Sequence, residues 1–130
     1  MIKWKEHYEL GVEHIDAEHR KLFEIANRVY ALLENKFYTD KYDKIIEILG
    51  ELKDYTAFHF KSEEEYMMSI FYKKFLSHKV EHDDFINKIN DVDLNKIDLN
   101  QDKYIMEILE FVVNWIDKHI LEQDKLITMN

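Results

Sequence analysis

The chain has 130 residues, of which 46% are hydrophobic and 35% charged, a composition typical of one globular domain rather than of a disordered segment. Its formal charge of −9, from 18 basic and 27 acidic residues, argues against a phosphate-binding surface and so against nucleic acid as a partner. Cysteine is absent, which excludes disulfides, thiolate zinc sites and cysteine-ligated iron–sulfur clusters. No apolar leader and no apolar run of bilayer-spanning length occurs, so we expect a cytoplasmic protein without membrane contact.

Long helices are the expected elements, because the chain has two glycines and no proline and so lacks the usual punctuation of β-rich proteins. Residues 1–15 have no steady periodicity and are expected to form an arm, anchored on the rest of the chain by Trp4 and Tyr8. Asp16 is then placed to cap the first helix. Apolar residues recur at intervals of three, four and seven in four segments, which predict helices at about 16–38, 40–68, 72–90 and 101–127.

Four helices of this length, joined by short connections such as the polar stretch 91–100, can bury their apolar stripes only by packing side by side. We therefore predict an all-α fold, an antiparallel up-down four-helix bundle with an N-terminal arm. Residues 1–130 are expected to form one domain, and the domain is expected to be a monomer.

Polar residues replace aliphatic ones on the inward stripes of the second and third predicted helices. In the second helix His59 and Glu63 follow a run of inward aliphatic residues at helical spacing. In the third helix the inward series begins at Phe71, and His78 and His82 fall within it, one turn apart. An isolated imidazole in a core is more often a hydrogen-bonded residue than a metal ligand. Two helices with the same anomaly make that explanation weaker.

The first and fourth helices add to this set. His19 lies one turn before the apolar residues of the first helix, and His119 lies in line with the inward residues of the fourth. Asp124 is five residues further on, about 140° around an ideal α-helix from His119, so it is expected to reach the same place from the flank. Five imidazoles and two carboxylates then converge on one core: His19, His59, Glu63, His78, His82, His119 and Asp124.

Metal cations are the partners that such a buried set requires, because each group would otherwise cost several kcal/mol of desolvation. Seven ligands exceed the four of a structural zinc site, whereas two ions that share two carboxylates accommodate them. Imidazole combined with carboxylate suits iron. The Glu-x-x-His motif of ferritin-like di-iron proteins and the HExxH motif of zinc proteases are both absent.

These motifs resemble those of the hemerythrin family, in particular the stand-alone bacterial hemerythrins, over nearly the whole chain. The matching segments are IDAEHRKLF at 15–23, HF and EE at 59–64, HxxxH at 78–82, and WI with HxxxxD at 115–124. The chain departs from the family in having Tyr72-Lys73 where Tyr-Pro is common before the third helix. His7 and His14 lie outside the pattern.

The resemblance implies a non-heme di-iron site with O2 as its ligand. By similarity, His78, His82 and His119 hold one iron, which is coordinatively full. His19 and His59 hold the other, which keeps an open position for O2. The two irons cycle between the ferrous and ferric states.

The resemblance also implies that Glu63 and Asp124, together with an oxo or hydroxo group, bridge the two ions. Positions that line the O2 pocket in the family are all apolar here: Leu22, Phe23, Phe60, Trp115, Ile116 and Ile120. Ile116, one turn before His119, is expected to lie nearest the bound O2. No further titratable residue is expected on the inner face, and no catalytic residue is assigned.

Reversible O2 binding for transport, storage or scavenging is the function that this resemblance implies, with O2 itself as the main partner. An enzyme that uses the same ligands, a di-iron peroxidase or an O2 or NO reductase fed by an electron donor protein, is the alternative. A sensor of O2 or iron would have to act through a separate partner. The sequence alone does not separate these functions.

Overall fold

Four long helices follow one another in the computed structural model, which describes residues 2–35, 41–91 and 101–128. They are α1 (Glu13–Glu34), α2 (Lys41–Ser69), α3 (Phe75–Asn90) and α4 (Gln101–His119). A 3₁₀ turn (Glu6–Tyr8) precedes them, and a π-helical turn (Ile120–Asp124) and the short α5 (Lys125–Thr128) continue the line of α4. The described residues contain no strand, which confirms the all-helical prediction. The predicted loop at 91–100 and the predicted break before α2 lie almost wholly outside the described residues.

The helices pack as an antiparallel bundle, in which α1 contacts α2 and α4, and α2 contacts α3. Most of the apolar residues at helical spacing are buried between them, as predicted. The buried set on the four helices and the π-helical turn includes Leu22, Phe23, Ala26, Val29, Ile45, Leu49, Leu52, Phe60, Phe85, Ile105, Leu109, Val112, Ile116 and Ile120. Among the described residues, no helix combines the length and the apolar character needed to cross a membrane.

The start of α1 differs from the prediction, because the helix begins at Glu13 and Asp16 is not its cap. Asp16 lies in the first turn, and its carboxylate accepts hydrogen bonds from the backbone N–H groups of Leu10 (2.8 Å) and Gly11 (3.1 Å). The side chain therefore fixes the arm where it enters the helix. At the other end α1 stops at Glu34, earlier than predicted, because the next residue takes up extended backbone.

The connection between α2 and α3 is also longer than predicted. α3 begins at Phe75 rather than at Tyr72, because the Tyr72 N–H donates back to the carbonyl of Met67 (3.0 Å) and so closes α2 instead of opening the next helix. Phe71, predicted to face inward, is 89% exposed. Its position in the turn, before the helical periodicity begins, explains the error.

The predicted fourth helix is not α-helical throughout. Between Ile120 and Asp124 it widens into a π-helical turn, in which hydrogen bonds span five residues rather than four. Residues five apart then lie nearly above one another. This turn therefore brings Asp124 beneath His119, where a regular α-helix would leave it on the flank.

The N-terminal arm is held on the bundle by the two predicted anchors and by Ile2. The rings of Trp4 and Tyr8 contact Phe23, with centroid distances of 5.5 and 5.1 Å. The Tyr8 hydroxyl donates a hydrogen bond to Asp117, and burial together with this carboxylate raises the pKa of Tyr8 to about 12. The Ile2 backbone pairs with the Asn27 side chain through two hydrogen bonds.

Candidate metal centre

The seven predicted metal ligands meet at the end of the bundle where α1 and α3 begin and where α2 and the line of α4 end. At most 6% of each is exposed: His19, His59, Glu63, His78, His82, His119 and Asp124. Their donor atoms form two groups, within each of which all atoms lie less than 4.8 Å apart. The three-histidine group consists of Glu63, His78, His82, His119 and Asp124. The two-histidine group consists of His19, His59, Glu63 and Asp124.

Glu63 turns one oxygen toward each group. Its Oε1 lies 2.7 Å from Nε2 of His78 and 3.2 Å from Nε2 of His82. Its Oε2 lies 3.3 Å from Nε2 of His59 and 3.5 Å from Nε2 of His19. A carboxylate in this orientation can bind one metal ion through each oxygen.

Asp124 repeats this arrangement from the π-helical turn. Its Oδ1 lies 2.9 Å from Nε2 of His78 and 3.1 Å from Nε2 of His119, both in the three-histidine group. Its Oδ2 lies 3.1 Å from Nε2 of His19, in the two-histidine group. The two shared carboxylates therefore stand as bridges between two adjacent cation positions.

The donor atoms of the cluster are better suited to binding a cation than to hydrogen bonding with one another. Both nitrogens of His19, Oε2 of Glu63 and both oxygens of Asp124 are buried without a hydrogen bond to any of the described residues, although polar atoms lie close to them. Nε2 of His119 lies 3.1 Å from Nε2 of both His78 and His82. Unpaired buried polar atoms are rare and costly in native proteins. Lone pairs directed at shared points are the arrangement that metal ions require, so the residues fit a two-metal centre.

The electrostatics of the cluster favour positive charge. Burial alone would lower the pKa of His59, but hydrogen bonding to Glu18 and the nearby Glu63 outweigh burial and raise it to about 10. Burial would likewise raise the pKa of Glu63, yet the surrounding imidazoles, His19 first, hold it well below its usual range. The carboxylates thus stay ionised in the core, and metal cations can supply the balancing charge while the imidazoles remain neutral ligands.

Carboxylates outside the cluster accept hydrogen bonds from the outer nitrogens of two ligands, and another carboxylate lies near that of a third. Nδ1 of His59 donates to Glu18 (2.7 Å), and Nδ1 of His82 donates to Glu64 (2.8 Å). Glu81 lies 3.6 Å from Nδ1 of His119. Such partners fix the ring orientation and raise the basicity of a ligating imidazole. None of these carboxylates was predicted from the sequence, and the expectation of no further titratable residue on the inner face is wrong for the buried Glu18.

Replacing Glu18 with alanine is expected to weaken metal binding without destroying the fold. The change removes the acceptor of His59 Nδ1 and of Ser62 Oγ (2.9 Å), so the His59 ring is no longer held in place. We expect affinity for iron to fall by about 10–100-fold, measured by competition with a chelator. Glu24→Ala, at an exposed position of the same helix, is the control. An unchanged affinity in the Glu18 variant would show that this contact does not support the ligand.

The predicted pocket residues belong to the apolar core of the bundle or pack against it, and two of them contact the cluster. Phe60 stacks on the His82 ring at 3.9 Å, and the half-buried Trp115 stacks on His119 at 4.3 Å, so both pack on the three-histidine group. The other four predicted lining residues are fully buried: Leu22, Phe23, Ile116 and Ile120. His7 and His14 are exposed, in keeping with their place outside the motif.

An antiparallel four-helix bundle that holds five histidines and two shared carboxylates in its core defines a helical-bundle protein with a two-metal centre. Residues 10–129 match the family model described as the Hemerythrin HHE cation binding domain. The chain belongs to the hemerythrin family. The resemblance seen in the sequence motifs is thereby confirmed, and the histidine and carboxylate donor set is that of a di-iron site.

Among the relatives, a bacteriohemerythrin of Clostridium acetobutylicum is 58% identical over 125 residues, which cover 96% of this chain and 97% of that protein. A bacteriohemerythrin of Methylococcus capsulatus is 32% identical over 111 residues, 85% of this chain and 81% of that protein. A bacteriohemerythrin of Stenotrophomonas maltophilia is 26% identical over 125 residues, 96% of this chain and 78% of that protein. The similarity therefore extends over nearly the whole of this chain.

Proposed function

We propose that this protein binds O2 reversibly at a non-heme di-iron centre, for oxygen transport, storage or scavenging. The observation that carries the proposal is the pair of donor groups that share Glu63 and Asp124, since a single ion would leave at least two histidines of the cluster without a metal. The 58% identity to a bacteriohemerythrin supports an oxygen-binding protein over the enzyme alternative.

The ligand assignment follows the two groups. His78, His82 and His119 would complete one iron, and His19 and His59 would leave the other with a free position. Two ferrous ions held by these residues would supply O2 with one electron each.

The bridging carboxylates and the apolar wall have different tasks in this proposal. Glu63 and Asp124 would neutralise half of the charge of two ferrous ions and hold the ions next to each other. The buried aliphatic and aromatic residues around the cluster exclude water and proton donors, which would otherwise oxidise the centre irreversibly. The exclusion of water would make the protein a carrier of O2 rather than an oxidase.

The proposed function also requires a partner protein that reduces the iron. An electron donor protein would return oxidised iron to the ferrous state, and sensing would need a further partner. The monomeric state, the cytoplasmic location and the single domain over residues 1–130 stay predictions from the sequence.

The optical spectrum of the reduced protein tests the function directly. On exposure to O2 a visible charge-transfer absorption is expected to appear, and it is expected to disappear under vacuum over repeated cycles. Immediate and irreversible conversion to the oxidised form, with turnover of O2 in the presence of a reductant, would favour the enzyme alternative instead.

Ile116 tests the apolar wall separately from the ligands. Ile116→Glu places a proton donor and possible metal ligand in the buried wall, so we expect the oxygenated half-life to collapse or O2 binding to be blocked while two irons remain bound. Ile116→Val, the matched apolar control, should cost about 0.5–1.5 kcal/mol of stability and keep O2 binding. If the Glu variant binds and releases O2 as the wild type does, Ile116 is not part of the pocket.

A further inference from the structure

An apolar and basic surface at the α2–α3 turn has no role in the proposed O2 site. Five apolar side chains between residues 68 and 80 are substantially exposed, Phe71 by 89% and Leu76 by 74%. Two exposed lysines lie among them. We call this set the turn surface: Met68, Ile70, Phe71, Lys73, Lys74, Leu76 and Val80. Exposed apolar residues that occur together mark interaction sites more often than those scattered singly.

Phe71 occupies a backbone position that disfavours phenylalanine. Its N–H donates to Met68 O (3.2 Å) and the next N–H, of Tyr72, donates to Met67 O (3.0 Å), the two hydrogen bonds of a Schellman motif. The residue between helix and turn in this motif adopts a left-handed conformation, for which glycine is usual, and Phe71 has φ = 54°. The chain therefore tolerates backbone strain here and gains no burial from the ring. Strain of this kind points to a role outside folding.

The charge of the turn surface is opposite to that of the whole protein. Residues 66–80 contain three lysines and no acidic residue, although the chain as a whole carries −9. Lys79 pairs with Asp83 (3.0 Å), whereas Lys73 and Lys74 form no ion pair with any residue in the described part of the chain. Two free cations beside an exposed ring complement a partner that is acidic and partly apolar. A second copy of this chain would bring like charges together if the same surface faced itself.

The turn surface is linked to the metal centre by one side chain. The Tyr72 ring, between Phe71 and Lys73 in the chain, lies 6.4 Å from the ring of His78 in a T-shaped contact. His78 belongs to the three-histidine group and faces both shared carboxylates. A molecule seated on the turn surface would therefore be separated from a metal ligand by a single aromatic residue, a short distance for electron transfer.

We propose that the turn surface is the docking site of an acidic one-electron donor protein. The proposal rests on the proposed function, because it assumes an iron centre that needs reduction after oxidation. In each encounter the partner is oxidised by one electron and one ferric ion is reduced to ferrous, so two encounters restore both ions. Encounters of redox proteins are typically small and transient, so a few exposed side chains at one turn are enough to form one.

Hydrogen exchange with an acidic flavodoxin, a one-electron donor protein, tests the docking step. Both proteins are used oxidised and the iron-loaded wild type is compared with variants, so that no electron moves and binding alone is measured. We expect flavodoxin to slow amide exchange within residues 66–80, and Lys73→Glu/Lys74→Glu to weaken its binding at least tenfold. The control, Lys53→Glu/Lys103→Glu, makes the same charge change at exposed lysines elsewhere and should bind as the wild type does.

Each of the remaining outcomes would contradict a different part of the proposal. Protection elsewhere, or equal loss in both double variants, would overturn the docking site, while two irons and reversible O2 binding in the same sample would leave the proposed function intact. Protection at 66–80 in a chain that fails to load iron would overturn the donor role together with the proposed function. Protection by phosphatidylglycerol vesicles but not by flavodoxin would make the surface a membrane contact instead.

The salt dependence of reduction gives a second test, with the small anionic reductant iron(II)–EDTA. Because the protein carries −9 overall, reduction controlled by net charge should accelerate as salt screens the repulsion. If electrons enter at Lys73 and Lys74, salt should have the opposite effect on the rate of reduction. The rate should fall with added salt in the wild type and rise in Lys73→Glu/Lys74→Glu. A rate that rises with salt in both proteins would show that electrons do not enter at this surface.

Phe71→Asn separates docking from folding. Asparagine tolerates the left-handed conformation, so the melting temperature is expected to rise by a few degrees as the strain is relieved. Flavodoxin binding should weaken several-fold in the same variant, because the exposed ring is lost. Unchanged binding by this more stable variant would remove Phe71 from the docking surface.

Discussion

Removing the metal ions is expected to lower the melting temperature of the protein by roughly 10–20 °C, the largest change in stability that we predict. Two carboxylates and five imidazoles are almost fully buried at the site, and five of their polar atoms have no hydrogen-bond partner in the described part of the chain. In the absence of cations these groups must take up protons or admit water, at a cost of several kcal/mol. Metal binding to the folded state alone adds stability through mass action.

The experiment compares iron-loaded protein with protein treated with a chelator and dialysed, by calorimetry at one pH. Anaerobic addition of ferrous iron should restore the original melting temperature, which controls for damage by the chelator. Hydrogen exchange should show that the loosened region contains the ligand-bearing segments rather than the far end of the bundle. Equal melting temperatures with and without metal would contradict a metal centre in the core.

Glu63→Gln is expected to reduce the iron content from two ions per chain to at most one. Glu63 faces four imidazoles, at distances between its oxygens and their Nε2 atoms of 2.7–3.5 Å, and belongs to both donor groups. Glutamine keeps the shape of the side chain, but it offers one neutral oxygen in place of two charged ones. It can no longer bind both ions or balance their charge.

Glu65→Gln, two residues further along α2 at an exposed position, is the matched control and should retain both ions. Circular dichroism on both variants checks that the helices still form, so that loss of iron is not confused with loss of the bundle. Retention of two irons and of the wild-type melting temperature by Glu63→Gln would show that Glu63 is not a bridging ligand.

The sequence predicted the helices and their packing because their apolar stripes are long and regular. The ends of the elements were less predictable, since they depend on contacts with other parts of the chain. Asp16 has the chemistry of a helix cap, but it binds the backbone of the arm instead. The spacing of the apolar residues gives no sign of the π-helical turn at Ile120–Asp124, which brings Asp124 to the cluster.

The candidate metal ligands were predictable for a related reason: polar residues stood where the apolar period required aliphatic ones. Glu18 and Glu64 escaped that search. Each is next to a predicted ligand in the sequence and bonds the outer nitrogen of a histidine on another helix. The expectation that ligating histidines have carboxylate partners could have suggested them, but only the fold shows which histidine each one meets.

The iron content of the protein after anaerobic loading decides whether the core holds a di-iron centre. If the three-histidine and two-histidine groups are two metal positions joined by Glu63 and Asp124, the purified chain should take up two ferrous ions and retain them through desalting. One tightly held zinc ion per chain, with no uptake of iron under these conditions, would contradict the di-iron centre.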